Sequence, residues 1–203
     1  MEVKSLNVQV YIADVTALDD PILYNKYLAE MPEYRQAKVK ECTEKSQQNL
    51  VLASGVLLQH GLRQAGYEPE LELEYSEEGK PFFPGHPELA VSLARSGQRA
   101  MCAVAVAGGP VGCEIGCDLE EKTKEQIDAL SAQNMTLEQW TKLESYAKAT
   151  QTDMGSLFYG KAKVIPGFVF SQPDVETLYV YTICCRSKIP AENIHPVDLK
   201  KLG

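Results

Sequence analysis

The sequence predicts an α+β fold made of two similar halves. Helix-compatible residues 39–65 precede several strand-like segments, and helix-compatible residues 124–132 and 136–150 precede two more. This repeated order of a helix and then antiparallel strands is typical of a duplicated α+β unit. Since no linker-like stretch divides the chain, we expect an N-terminal half over residues 1–120 and a C-terminal half over residues 121–203. The two halves should pack tightly as one unit with approximate twofold symmetry.

Local patterns justify the elements of the N-terminal half. Residues 5–13 alternate apolar and polar side chains, which is typical of a half-buried strand. Leucines at helical spacing give residues 39–65 an apolar face, and Gly66 favours a helix end there. Glycine and proline turns separate the segments that follow. We expect these segments to form a β-meander, with strands at residues 71–75, 89–93, 99–107 and 111–120.

A capping box marks the main helix of the C-terminal half. Thr136 lies three residues before Gln139, so each side chain can accept a hydrogen bond from the other residue's backbone N–H at the helix start. We expect this helix to run to about Thr150, after a shorter helix over residues 124–132. Two strands, at residues 167–171 and 177–185, are expected to close the chain.

Charge and composition exclude several classes of partner. The 203 residues include 20 basic and 28 acidic side chains, and no Lys/Arg cluster marks a nucleic-acid interface. The longest purely apolar run, residues 100–107, is too short to span a bilayer, and the N-terminus has no signal-peptide pattern. We therefore expect a cytoplasmic protein with neither a nucleic-acid nor a membrane partner. The six cysteines form no Cys-x-x-Cys pair and are expected to be free thiols.

The stretch Val-Gly-Cys-Glu-Ile-Gly-Cys-Asp-Leu-Glu at residues 111–120 carries the first candidate site. With period-two alternation, Asp118 and Glu120 project from the same face of a strand, with Cα atoms about 6.5–7 Å apart. Two carboxylates at this spacing repel each other unless a cation lies between them, and hard oxygen ligands favour Mg²⁺ or Mn²⁺. The alternative is an ordinary strand whose acidic face meets solvent.

The second candidate site lies on the predicted helix at residues 136–150. Trp140, Glu144 and Lys148 follow one another at intervals of four, which places them in one stripe along the helix. A carboxylate between an aromatic ring and a lysine can complete a metal site and bring a cation to a phosphate. The alternative is an ordinary amphipathic helix with a core tryptophan and a surface Glu144–Lys148 pair.

Together, in this order, the two segments resemble the 4′-phosphopantetheinyl transferases, in particular the longer, pseudodimeric type that activates peptide synthetases. Residues 116–120 are a full match to the family's Gly-x-Asp-x-Glu strand, and Trp140, Glu144 and Lys148 match its Trp-x-x-Lys-Glu-x-x-x-Lys helix. Gly79-Lys80-Pro81 corresponds to the family's Gly-Lys-Pro, and residues 91–97 correspond to its Asn-x-Ser-His-Ser-Gly. The resemblance covers most of the chain and implies two halves related by a pseudo-twofold axis.

The resemblance implies transfer of the 4′-phosphopantetheine group from coenzyme A to a serine of an acyl or peptidyl carrier protein. Asp118, Glu120 and Glu144 would hold Mg²⁺ or Mn²⁺ against the pyrophosphate of coenzyme A. Glu144 would act as the general base, directly or through a water molecule, and Lys148 would contact the phosphates. The 3′-phosphate and adenine end of coenzyme A would be bound by Lys80, Pro81, Arg95 and Ser96.

The chain departs from the family pattern at several places. Arg95 stands where the family has the histidine that binds the 3′-phosphate, and Leu143 stands where it has a lysine. The segment before Trp140 is shorter than in the family and lacks its Phe-x-x-x-Glu-like element. A second register, with Glu114 as the first metal ligand and Gly116 in place of the second carboxylate, stays open. A degenerate member that binds coenzyme A or a partner protein without catalysis is the alternative function.

Overall fold

The structure is a computed structural model that describes residues 6–108 and 113–202. The first range contains, in order, β1 (Leu6–Asp14), α1 (Pro21–Glu30), α2 (Glu33–Glu41), α3 (Lys45–Gln64), β2 (Glu74–Tyr75), β3 (Pro81–Phe82), β4 (Leu89–Ser96) and β5 (Arg99–Ala107). The second contains β6 (Gly116–Glu121), α4 (Lys124–Ser131), α5 (Leu137–Thr150), α6 (Met154–Phe158), β7 (Val169–Ser171), β8 (Tyr179–Cys185) and β9 (Ile194–Val197).

Two mainly antiparallel sheets organise these elements. The first sheet has the order β4-β5-β1-β9, in which only β1 and β9 run parallel. The second sheet has the order β6-β8-β7 and is fully antiparallel. Three strands of each sheet follow the same order: one precedes a long helix, two follow it, and the last of the three lies in the middle. In the first sheet β9 is added at the edge, beside β1. The prediction of an α+β protein with antiparallel sheets is confirmed at this level.

The two sheets pack face to face, and each carries a long helix on its outer face. Between the sheets lies one apolar cluster that includes Val10, Met101, Ile115, Leu119 and Ile183. Helix α3 packs its leucines on the outer face of the first sheet, and α5 packs on the outer face of the second. The strands therefore have two buried faces, and neighbouring residues along β6 contact different layers.

The helix predicted over residues 39–65 is wrong in its first part. The helix is interrupted between Glu41 and Lys45. The preceding helix, α2, packs against α3 instead of continuing it. A straight helix of that length would span roughly 40 Å and would carry its first turns past the core. The reversal lets α2 pack beside Gly55, where an added Cβ would lie only 3.2 Å from the Arg35 side chain.

The predicted meander is also wrong, because β6 leaves the first sheet and pairs with β8. Alternation along a strand shows which residues share a face but does not show which strand lies beside it. The strand predicted over residues 111–120 begins at Gly116, and residues 111 and 112 lie outside the described ranges, as do two residues of the preceding turn. Helices α1, α2 and α6 and strands β3 and β9 were not predicted, and β2 is shorter than expected.

Two further expectations concern the cysteines and the membrane. All six cysteines are free, and four of them are buried, as the sequence predicts. No helix within residues 6–108 or 113–202 combines the length and the apolar character needed to cross a bilayer.

The predicted division of the chain into halves at residue 120 falls within β6, and β9 pairs with β1 in the first sheet.

Candidate metal centre

A glycine brings β6 against α5. A Cβ added at Gly116 would overlap the backbone carbonyl oxygen of Ser145 and would lie 2.5 Å from the backbone nitrogen of Ala149. Any side chain at this position would therefore push the helix away from the strand. The close approach places the next outward-facing residues of β6, Asp118 and Glu120, beside the side chains of α5.

Three carboxyl groups meet at this contact. Asp118 and Glu120 come from β6 and Glu144 comes from α5, and one carboxylate oxygen of each lies within 4.8 Å of the others. Asp118 is buried, whereas Glu120 and Glu144 are half-buried. The period-two alternation expected from the sequence and the helical position of Glu144 together account for the convergence.

Hydrogen bonds hold this cluster in place. The Lys148 Nζ atom lies 2.6 Å from Asp118 Oδ1 and 3.7 Å from Glu144 Oε2. The Ser96 hydroxyl donates a hydrogen bond of 2.8 Å to Glu120 Oε2, and it accepts one from the Glu121 backbone N–H. The second oxygen of Asp118, Oδ2, is buried and has no hydrogen-bond partner among the described residues.

The electrostatics of the cluster follow from its burial. Burial raises the pKa of the Asp118 carboxyl to about 8, and the Glu144 carboxylate adds to the rise, while the Lys148 ammonium opposes it. Burial by itself would lower the pKa of Lys148, but the Asp118 carboxylate and other negative neighbours raise it overall. The ammonium therefore stays charged beside a carboxyl group that is costly to ionise.

These residues fit a hard divalent cation. Three ionised carboxylates and one ammonium leave a formal charge that a divalent ion would neutralise, and all the donors are oxygens, as Mg²⁺ and Mn²⁺ prefer. The unpartnered Asp118 Oδ2 is the kind of buried acceptor that a bound cation would satisfy. The metal role itself stays a prediction.

A cavity of about 810 Å³ begins beside Lys148. Four of the residues predicted to bind coenzyme A line it: Lys80, Pro81, Arg95 and Lys148. Lys80 Nζ donates a hydrogen bond of 3.0 Å to the Ala149 carbonyl oxygen near the end of α5, and burial lowers the pKa of this lysine. The fifth predicted residue, Ser96, bonds Glu120 and is not among the residues lining the cavity.

Two basic side chains of α2 also line the cavity, and sequence reasoning missed them. Arg35 is only 4% exposed, and its Nη2 atom is buried without a hydrogen-bond partner among the described residues. Lys38 lines the same cavity, and its Nζ lies 4.0 Å from the centre of the Tyr75 ring. Arg35, Lys38 and Lys40 form a basic stretch in the sequence, which is the signal that could have indicated them.

The remaining sequence candidates lie outside the carboxylate cluster. Glu114 pairs with Arg186, with 2.7 Å between Oε2 and Nη2, and its side chain is 41% exposed. Two alignments of this strand with the family's metal motif were possible. The one that uses Asp118 and Glu120, rather than Glu114, places its carboxylates beside Glu144. Trp140 packs with Leu137 and other apolar residues, and its ring centre lies 6.3 Å from that of Phe158.

No protein-family model matches the chain, and a search of curated proteins finds no match. What the site can do therefore follows from its own residues. They combine three carboxylates able to hold a hard cation with a neighbouring cavity lined by basic side chains, and Lys148 belongs to both.

Proposed function

We propose that the chain transfers the 4′-phosphopantetheine group of coenzyme A to a serine of an acyl or peptidyl carrier protein, in a reaction that depends on Mg²⁺ or Mn²⁺. The serine oxygen would form the new bond to phosphorus, the pyrophosphate bond would break, and adenosine 3′,5′-bisphosphate would leave. One observation carries the proposal: Lys148, which pairs with Asp118 of the carboxylate cluster, also lines a cavity together with Arg35, Lys38, Lys80 and Arg95. Coenzyme A carries a pyrophosphate and a separate 3′-phosphate, so its recognition needs both a divalent cation and an extended basic pocket.

The order of the strands supports the family assignment. Apart from β9, each sheet has one strand before a long helix and two strands after it, and the last of these three strands lies in the middle. We propose that the two units, β1-α3-β4-β5 and β6-α5-β7-β8, are related by an approximate twofold axis. Such a duplicated arrangement places a ligand cavity at the junction of the two units, which is a common location for small-molecule sites.

In this proposal Asp118, Glu120 and Glu144 hold the metal ion, which supplies charge neutralisation at the pyrophosphate when it is bound. Ser96 fixes the Glu120 carboxylate through its 2.8 Å hydrogen bond. Glu144, or a water molecule that it orients, takes the proton from the carrier serine. Lys148 contacts the phosphates as a point charge and partly opposes the rise that burial causes in the pKa of Asp118.

The basic residues of the cavity bind the remaining phosphate and the adenine end. Arg95 and Lys80 share the 3′-phosphate, and Pro81 shapes the turn beside them. The Nη2 atom of Arg35 is buried without a hydrogen-bond partner among the described residues, so a phosphate oxygen would supply the acceptor that it lacks. Arginine in place of the family histidine at position 95 keeps the positive charge at all physiological pH values.

A second candidate function is a non-catalytic member that binds coenzyme A or a partner protein. The 2.6 Å contact between Lys148 and Asp118 favours it, because an internal ammonium already compensates the most buried carboxylate. In such a protein the cluster would serve stability, and the cavity would keep its affinity for a phosphorylated ligand.

Asp118→Ala tests the proposal, and Glu138→Ala, which removes an exposed carboxylate of α5 outside the cluster, is the control. Purified protein is incubated with coenzyme A, Mg²⁺ and a bacterial acyl carrier protein in its apo form. The increase in the mass of the carrier is measured by mass spectrometry. We expect modification by wild type and by Glu138→Ala, and a loss of at least about a hundredfold in rate for Asp118→Ala with the fold retained. Binding of coenzyme A without any carrier modification by wild type would favour the non-catalytic function instead.

A further inference from the structure

The segment at residues 159–169, which follows α6, exposes an apolar surface. Tyr159 is 71% exposed, Val164 68%, Ile165 40% and Val169 37%. Tyr159 and Val164 rank among the most exposed large apolar residues of the described chain. Clustered exposed apolar side chains, unlike scattered ones, mark an interaction surface on a soluble domain.

The charge of this segment is opposite to that of the chain as a whole. Between Asp153 and Asp174 there are two lysines, Lys161 and Lys163, and no acidic residue, although the whole chain has a net charge of −8. Both lysines are exposed. Lys188 borders the segment and donates a hydrogen bond to the Phe170 carbonyl oxygen. Arg186 donates one to that of Pro166, but its charge is paired with Glu114.

The segment is also tied to the helix that carries Glu144. Helix α6 runs back along α5, from Met154 in the wall of the basic cavity to Phe158, which contacts Trp140. Trp140 lies one helical turn before Glu144. Farther along, the Ile165 backbone N–H donates a 2.6 Å hydrogen bond to the hydroxyl of Tyr146. Glu144 therefore lies on α5 between Lys148, which lines the cavity, and Trp140, which contacts Phe158 just before the 159–169 segment.

We infer that residues 159–169 form the docking surface for the carrier protein and that the contacting face of the carrier is acidic, an inference that rests on the proposed function. The carrier protein must bring its serine to Glu144 while coenzyme A fills the cavity. It therefore has to approach α5 from the end opposite the cavity, where Trp140 lies. A partner surface that combines acidic and apolar side chains matches exposed Tyr159 and Val164, with Lys161 and Lys163 between them in the sequence. A second copy of this chain fits poorly, since a twofold contact would bring the same lysines together.

The test measures binding and transfer separately. The double variant Lys161→Glu/Lys163→Glu and the single variant Val164→Ser are compared with two controls on remote exposed positions, Lys200→Glu and Ile22→Ser. Binding is measured by calorimetry with an acyl carrier protein whose acceptor serine is replaced by alanine. Transfer is measured with the unaltered carrier, and coenzyme A affinity is measured alone.

For the charge-reversal variant we expect about a tenfold or greater loss of carrier affinity, a matching rise in KM for the carrier, and unchanged coenzyme A affinity. The loss should shrink as salt is raised, and both controls should behave like wild type. Wild-type affinity for the carrier in both segment variants overturns the docking surface but leaves the proposed function standing. Absence of coenzyme A binding and transfer in wild type overturns both. Binding of wild type to vesicles of anionic phospholipid, lost in the charge-reversal variant while carrier binding persists, also overturns the assignment.

Discussion

Replacing Gly116 by alanine should damage the candidate metal centre without touching any of its side chains. The added Cβ would overlap the Ser145 carbonyl oxygen and lie 2.5 Å from the Ala149 backbone nitrogen, whereas ordinary contacts at such a carbon begin at 3.4 Å. Both neighbours are backbone atoms of α5, which cannot rotate out of the way. The helix must therefore retreat from β6 by about 1 Å, and Glu144 retreats with it.

The expected effects can be given magnitudes. Overpacking of this kind costs about 1–3 kcal/mol of the free energy of unfolding, and each kcal/mol lowers Tm by about 2–4 °C in a chain of this size. Metal sites tolerate errors of only about 0.5 Å, so the affinity for Mn²⁺ should fall at least about tenfold. Thermal melts measure the loss of stability, and titration of the apo protein with Mn²⁺ measures the loss of metal affinity.

Gly155→Ala is the matched control for this substitution. An added Cβ there meets its nearest atom, Asp153 Oδ2, at an ordinary 3.4 Å, and the residue lies within helix α6. Its Tm should stay the same or rise slightly, since alanine favours helix over glycine by about 0.5–1 kcal/mol. The reasoning fails if Gly116→Ala keeps wild-type Mn²⁺ affinity, or if both variants lose it equally.

Three further outcomes are expected. Arg95→Ala should weaken the binding of coenzyme A by about 10- to 150-fold, as measured by calorimetry, since a charged hydrogen bond contributes roughly 1.5–3 kcal/mol. The affinity for dephospho-coenzyme A should not change, and equal losses of affinity for both ligands would refute a phosphate contact. Because the pKa of Asp118 is raised to about 8 and cations bind the ionised form, Mn²⁺ affinity should rise about tenfold per pH unit below pH 8 and level off above it; a flat profile contradicts this. Thr136→Ala removes the capping box of α5 and should lower the free energy of unfolding, followed by thermal melts, by about 1 kcal/mol while Mn²⁺ affinity is retained. Loss of Mn²⁺ binding would mean that the cap also positions Glu144.

Much of the second sheet could be predicted because its signals are local. The capping box at Thr136 and the end of α5 at Thr150 agree with the structure. A cap depends on side chains three residues apart and needs no information from the rest of the chain. The same holds for the alternation along β6, which places Cys117 and Leu119 toward the first sheet and Asp118 and Glu120 toward α5.

The first half was predicted less well because its helices lack a local signature. Residues 21–41 are mostly polar, yet they form α1 and α2, which bury Tyr24, Tyr27, Arg35 and Val39. Their apolar positions are too sparse to produce a clear helical period, so tertiary packing against α3 decides their structure. The parallel pairing of β9 with β1 joins residues about 180 positions apart, which no short pattern can reveal.

The sequence by itself determined which residue types can share a site. Asp118 and Glu120 lie on one strand face, and Glu144 and Lys148 lie on one helix stripe, because both relations depend only on the geometry of a strand and a helix. Tertiary structure alone decided that the face and the stripe meet, because that contact requires Gly116 to admit the α5 backbone. It also decided the burial that raises the pKa of Asp118, since desolvation depends on every layer packed around a carboxyl group rather than on its neighbours along the chain.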